Sequence, residues 1–307
     1  GSTDALQHLR GDKAMLRLLL KVDAWLVGLR ERHEQQVGRP LRIVLLSDHG
    51  NTAGKVKGAR GFKRRLRKAG LSVSNRLEEN TDVVATTFGL VGYGALFLRP
   101  ELAARAARAI ADHRAVAMAV WRSGPQELTV VSSDGEAIIR WRDVGARREF
   151  AYEPRAGDPL ELDRSVAAIV ADGELDEAGF AGDRAWLRHT ALAENPDAPY
   201  RLVESLTGDH LRNHATVLFA MRPGRAWGWK SAKAGSWLRG GHLEGTHGGL
   251  DRGSSVGFFL PEDPDRVPPD RVVRAADALA GYLEPAAEPN GIARQDQSDA
   301  TRVPTAP

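Results

Sequence analysis

Asp48 and His49 close an apolar run, Leu41-Arg42-Ile43-Val44-Leu45-Leu46-Ser47, and Gly50 follows at once. A carboxylate beside an imidazole offers oxygen and nitrogen ligands of the kind that suit Zn²⁺, with Mn²⁺ or Fe left open by ligand type alone. Adjacent strand residues point to opposite faces, but where the chain turns out of a strand both can reach one spot. Gly50 would permit that turn through an unusual backbone angle. Two further fragments carry the same chemistry. Asp4 and His8 are four residues apart, so on a helix they share a face. His247 sits in Gly245-Thr246-His247-Gly248-Gly249, where glycine neighbours let the backbone approach an ion closely. Taken singly, each fragment also reads as ordinary structure: a solvated helix end, a helix N-cap at Asp48, a flexible loop around His247. Taken together, Asp4, His8, Asp48, His49 and His247 supply ligands for one complete metal site and half of another.

These residues need elements to hold them. Met15, Leu19, Val22, Leu26 and Leu29 recur at steps of four and three, which predicts an amphipathic helix over 12–36 ended by Gly38-Arg39-Pro40. The run 41–47 then reads as a buried strand that delivers Asp48 and His49 to its C-terminal edge, where open α/β sheets keep their active sites. Further strands are expected over 115–121, 128–132, 137–141, 216–221 and 256–260, with Ser133-Asp134-Gly135-Glu136 as a hairpin turn. Helices are expected over 102–113, 160–171 and 269–283. The stretch 223–256, rich in Gly, Trp and His, reads as a long functional loop.

At 307 residues, with a net charge of +3, the chain can bury a substantial core and carries no large excess of positive charge that would argue for nucleic acid. Cysteine is absent, which excludes disulfides and thiolate metal sites and leaves the compartment undetermined. No apolar run approaches the roughly 18 residues of a membrane span. The basic run from Lys55 to Lys68 reads as a solvated helix face. Trp227, Trp229 and Trp237 read as packing of the long loop, and His242 as exposed. His189, His210 and His214 lack ligand spacing with any acid. No Gly-x-Gly-x-x-Gly or Walker-type loop is present.

The order Asp4-x-x-x-His8, then Ser47-Asp48-His49-Gly50, then Gly245-x-His247-Gly248 resembles the alkaline phosphatase superfamily, in its type I phosphodiesterase and nucleotide pyrophosphatase branch. Gly157-Asp158-Pro159-Leu160, Asn195-Pro196-Asp197-Ala198 and the run 245–260 add to the resemblance, which extends over roughly 1–283. It implies an α/β fold with a mostly parallel central sheet flanked by helices and a mixed α/β middle region. It also implies two divalent metal ions, zinc foremost: one held by Asp4, His8 and His247, the other by Asp48 and His49. The substrate would be a small phosphate mono- or diester. In that family a further Asp and a nucleophilic Thr or Ser precede the position matching Asp4. The chain is therefore expected to carry the C-terminal part of the catalytic domain, inactive alone, with residues 284–307 a disordered tail. A phosphomutase of the same superfamily is the alternative suggested by Asn51 after Gly50. A non-catalytic metal-binding or interaction protein is the alternative of another class.

Overall fold

The computed structural model describes residues 2–87, 91–145, 147–228, 243–261, 274, 275, 277 and 278. The side chains of residues 2, 4 and 5 lie outside that set, as do Trp229, Trp237, His242, most of the helix expected over 269–283 and the tail 284–307.

Helix α1 (Ser2–Val37) opens the chain and breaks at Gly11, whose φ of 66° is left-handed, so the periodic stretch 12–36 is a helix in its own right. Three short strand pairs follow from both ends of the chain. Strand β1 (Val44–Leu46) pairs antiparallel with β15 (Phe259–Pro261), and β2 (Thr52–Ala53) pairs antiparallel with β14 (Gly245–Thr246). Strand β3 (Lys57–Gly58) pairs parallel with β13 (Arg225–Ala226). Helix α7 (Arg252–Ser255) lies between β14 and β15.

The middle of the chain builds a nine-stranded sheet. Its strands are β4 (Ser72–Ser74), β5 (Asp82–Ala85), β6 (Tyr93–Phe97), β7 (Val116–Gly124), β8 (Glu127–Ser132), β9 (Gly135–Val144), β10 (Arg147–Gly157), β11 (Ala181–Gly182) and β12 (Val217–Met221). The order across the sheet is β11-β10-β9-β8-β7-β12-β6-β5-β4. Only β4 and β5 in it run parallel; every other pair is antiparallel. The α/β class therefore holds, and the mostly parallel sheet does not. The cause is local. From β7 to β10 successive strands are joined by turns too short for a crossover, with Gly124 opposite Glu127, Ser132 opposite Gly135 and Val144 opposite Arg147.

Side-chain alternation splits the core between the sheet's two faces. On one face Met118, Val120, Leu128 and Val130 pack beneath α4 (Asp163–Ala171), α5 (Asp183–Thr190) and α6 (Ala198–Thr207), which contribute Ile169, Trp186 and Leu202. On the other, Ala119, Val131 and Phe219 pack against Phe62 and Leu66 of α2 (Phe62–Lys68) and Ile110 of α3 (Ala103–Ala111). The basic run thus lies on a helix only from Lys63 to Lys68, where the apolar side is buried; Lys55, Lys57 and Arg60 precede it, Lys57 within β3. Trp227 packs on Phe62 at 4.3 Å between ring centroids and donates its indole N–H to Thr86 O.

The strand expected to be buried is also different. β1 covers three residues, not seven, and Leu45 and Leu46 are 39% and 43% exposed. Neighbouring strand residues point to opposite faces, so both faces of β1 are partly open to solvent, and among the described residues it pairs with β15 alone. Leu16, Leu20, Trp25 and Val27 of α1 are exposed as well.

Candidate metal centre

Three of the five candidate ligands come together, although they lie near residues 8, 49 and 247 of the chain. The His49 and His247 rings stack with centroids 3.9 Å apart and planes inclined by 14°. The His8 ring lies 5.0 Å from that of His247.

Backbone pairing explains the convergence. The first turns of α1 are tied to the strand that leads into His247: Glu244 N donates to His8 O at 2.9 Å, and His8 Nδ1 lies 2.7 Å from Gly245 O. Pairing of β2 with β14, Thr246 opposite Thr52, brings the segment after Asp48-His49 alongside the segment before His247. Gly92 N donates to His247 O at 2.7 Å, which fixes the loop to the end of the large sheet.

Glycines make this density possible. A Cβ on Gly50 would stand 2.5 Å from Gly253 O and 2.6 Å from Val256 O, and one on Gly245 would stand 2.3 Å from Asn51 Nδ2. Gly50 is therefore needed for close approach; its φ is not among the positive ones. Gly248 does have a positive φ, 81°, and turns the chain away after His247.

The hydrogen bonds of the imidazoles decide which nitrogen can bind an ion. A carbonyl oxygen only accepts, so His8 Nδ1, against Gly245 O, carries the proton. His49 Nδ1, 2.8 Å from Gly50 O, carries it for the same reason. Both rings then have an unprotonated Nε2 when neutral. A backbone carbonyl that takes the second ring N–H is the usual companion of a metal-bound histidine. His49 Nε2 lies 3.5 Å from Asp48 Oδ2; the Asp48 side chain is 85% exposed and His49 28%. Asn51 Nδ2 and Oδ1 are buried without a hydrogen-bond partner, a state that costs about 1–3 kcal/mol and favours a polar group brought in from outside. Asp4 lies in α1, but its side chain is outside the described residues.

Among the described residues, the group of three whose ligand atoms lie within 4.8 Å of one another is Asp172, Glu174 and His189. His189 Nε2 is 3.0 Å from Glu174 and 3.3 Å from Asp172, pairings that sequence spacing did not reveal. Arg188 already donates to both Glu174 oxygens at 2.5 and 2.6 Å, and with His189 holds that carboxyl below its usual range against a smaller opposing effect of burial. Glu174 is thus already shared between Arg188 and His189.

The loop after His247 is braced from behind. Arg201 on α6 donates to Leu250 O at 2.9 Å, Gly249 O at 3.4 Å and Ser255 Oγ at 2.8 Å, and also to Pro196 O. Burial pushes the Arg201 guanidinium below its ordinary pKa, while Asp197 and Asp251 pull it back up. Asp251 caps α7 by accepting from Ser254 N, and Thr52 Oγ1 donates to it at 3.2 Å. The two supporting stretches of sequence also meet, for Asn195 Nδ2 donates to Leu160 O. Asp158 accepts from the Tyr152 hydroxyl and from Asp163 N, so these stretches shape the scaffold behind the histidines.

The chain matches no family model, no curated protein and no solved structure. Among the described residues no helix is long and apolar enough to cross a membrane.

Proposed function

We propose that this chain carries the histidine-rich part of a divalent metal centre in a phosphoric-ester hydrolase with an alkaline phosphatase-like arrangement. One observation carries the reading: His8, His49 and His247 converge from three distant parts of the chain, and two of them have Nδ1–H committed to a backbone carbonyl. His8 and His247, with Asp4 from the same helical turn as His8, would hold one ion; Asp48 and His49 would hold the second. The donor set of neutral imidazoles and carboxylates fits Zn²⁺. A bound pair of such ions would polarise a phosphoryl oxygen and stabilise the leaving group of a displacement.

The residues of the chain have the supporting roles. Gly245 O and Gly50 O fix the tautomers and ring orientations of His8 and His49, so that Nε2 is the donor atom each would offer an ion. Asp48, exposed at the turn, offsets part of the charge of the ion it would hold. Asn51 offers a buried amide that could donate to a phosphate oxygen. A small phosphate ester is the proposed substrate. Its organic part must lie against whatever surface adjoins His247.

Zinc titration by calorimetry tests this reading. The wild-type chain is expected to bind zinc, and His247→Ala, which removes the ring shared by both neighbours, is expected to abolish tight retention. Undiminished zinc binding by His247→Ala overturns the ligand assignment.

A further inference from the structure

The loop that carries His247 is also one wall of a cavity. Gly248, Gly249 and Leu250 close one side of a space of about 550 Å³ whose floor is the sheet. Tyr93, Ala95 and Phe97 of β6 rise into it as alternate residues of one strand face, beside Leu218 of β12 and Val120 of β7. Helix α6 lines another side through Leu202 and Ser205, and the exposed Ser205, His210 and Asn213 form the rim. Among the described residues no acidic side chain lines the space, and the Arg201 guanidinium is engaged by the carbonyls of Gly249 and Leu250.

Size, lining and position together define an occupant. The volume is that of an organic ligand pocket, far above the space a phosphate needs. With the Arg201 guanidinium spent on the loop carbonyls and Ser255 Oγ, an apolar floor offers a second phosphate little to offset its desolvation and suits an aryl or similarly apolar group. The wall begins at the residue after His247. Gly92, which donates to His247 O, immediately precedes Tyr93 of the floor. A Cβ on Gly248 would stand 2.9 Å from the Tyr93 ring, so only glycine lets the loop after His247 lie against the ring that forms part of the floor.

We infer that this cavity holds the apolar organic group of the ester whose phosphate is bound at the histidine centre. The inference rests on the proposed metal centre and narrows its substrate to esters of bulky apolar or aromatic alcohols.

The test uses the zinc-loaded full chain with three probes: inorganic phosphate, 2-naphthyl phosphate and 2-naphthol, followed by calorimetry and naphthyl fluorescence. Two variants occlude the space from different sides. Ala95→Phe fills the floor, and Ser205→Trp, at an exposed helix position, narrows the rim. The expected result is 2-naphthyl phosphate binding about tenfold tighter than inorganic phosphate, an advantage lost in both variants while phosphate affinity is unchanged. Equal binding of the two phosphates, or a naphthyl advantage indifferent to both variants, overturns the inference and leaves the metal centre standing. If neither phosphate binds but 2-naphthol binds and both variants abolish it, the pocket stands and the ester reading falls. Absence of any variant-sensitive naphthyl binding overturns the pocket.

Discussion

Arg274→Leu strips a buried carboxylate of its forked partner. Asp197 is 4% exposed and sits at the start of α6 with a left-handed φ of 52°. Arg274 grips it with Nε 2.8 Å from Oδ2 and Nη2 3.2 Å from Oδ1, reaches Asp183 Oδ2 at 2.8 Å with Nη1, and lies 3.6 Å over the Tyr200 ring. Burial opposes the charge on Arg274, but its hydrogen bonds to Asp197 and Asp183 outweigh that and raise its pKa. Burial likewise pushes the Asp197 carboxyl up, and the Arg274 fork is what draws it back most. Loss of one partner from such a buried pair costs about 3–5 kcal/mol, because the remaining charge is left uncompensated. In urea denaturation at neutral pH the midpoint should fall accordingly, and in thermal unfolding Tm should drop by on the order of 10 °C. The loss must also depend on pH. With Arg274 gone the folded pKa of Asp197 rises further above its unfolded value. Its destabilising effect is then full above the folded pKa and disappears below the unfolded one, so the gap between variant and wild type narrows as pH falls to about 4. Asp197→Asn in the Arg274→Leu background should recover part of the loss. A variant less than about 1 kcal/mol below wild type at neutral pH, or a gap independent of pH, refutes the reasoning.

Other expected outcomes concern the centre itself. Gly50→Ala forces its methyl against Gly253 O and Val256 O, so the variant should lose about 1–3 kcal/mol in denaturant titration, as overpacked sites do; unchanged stability would mean that the approach is not real. Arg201→Leu frees the loop after His247 and should weaken zinc binding by about 10–100-fold, a supporting-residue effect that calorimetry reads directly. Wild-type zinc affinity in that variant would detach the brace from the centre. Asp172→Asn, in the ion-pair cluster away from the histidines, should leave zinc stoichiometry unaltered, which metal analysis of the purified protein checks.

The candidate ligands were legible in sequence because Asp48-His49-Gly50 and Gly245-Thr246-His247-Gly248 are compact and compositionally unusual. What brings them together was not. The β2–β14 pairing joins segments almost two hundred residues apart over two residues each, too short for alternation to register. Strands β7, β8, β9 and β12 lie close to the expected places because apolar alternation and the Ser133-Asp134 turn are local signals, whereas β4, β5, β6, β10 and β11 were not anticipated. Their antiparallel order was foreshadowed by that turn; the parallel sheet came instead from the helix-then-strand order before Asp48 and from family resemblance. The apolar run ending at Ser47 predicted burial by composition, whereas burial depends on what lies against a strand, and β1 has β15 on one edge and both faces partly open to solvent. His189 escaped notice since its carboxylate neighbours, Asp172 and Glu174, are brought to it by the packing of α4 on α5 rather than by spacing.

The most direct test is a zinc titration of ¹⁵N-histidine-labelled chain followed through the long-range ¹H–¹⁵N signals of the imidazoles. The account predicts that Nε2 of His8 and His49 shifts on zinc addition, that Nδ1 of each remains protonated against its carbonyl, and that His247 responds over the same additions. Ligation through Nδ1 of His8 or His49, or signals of all three rings unmoved through about two equivalents of zinc, would contradict it.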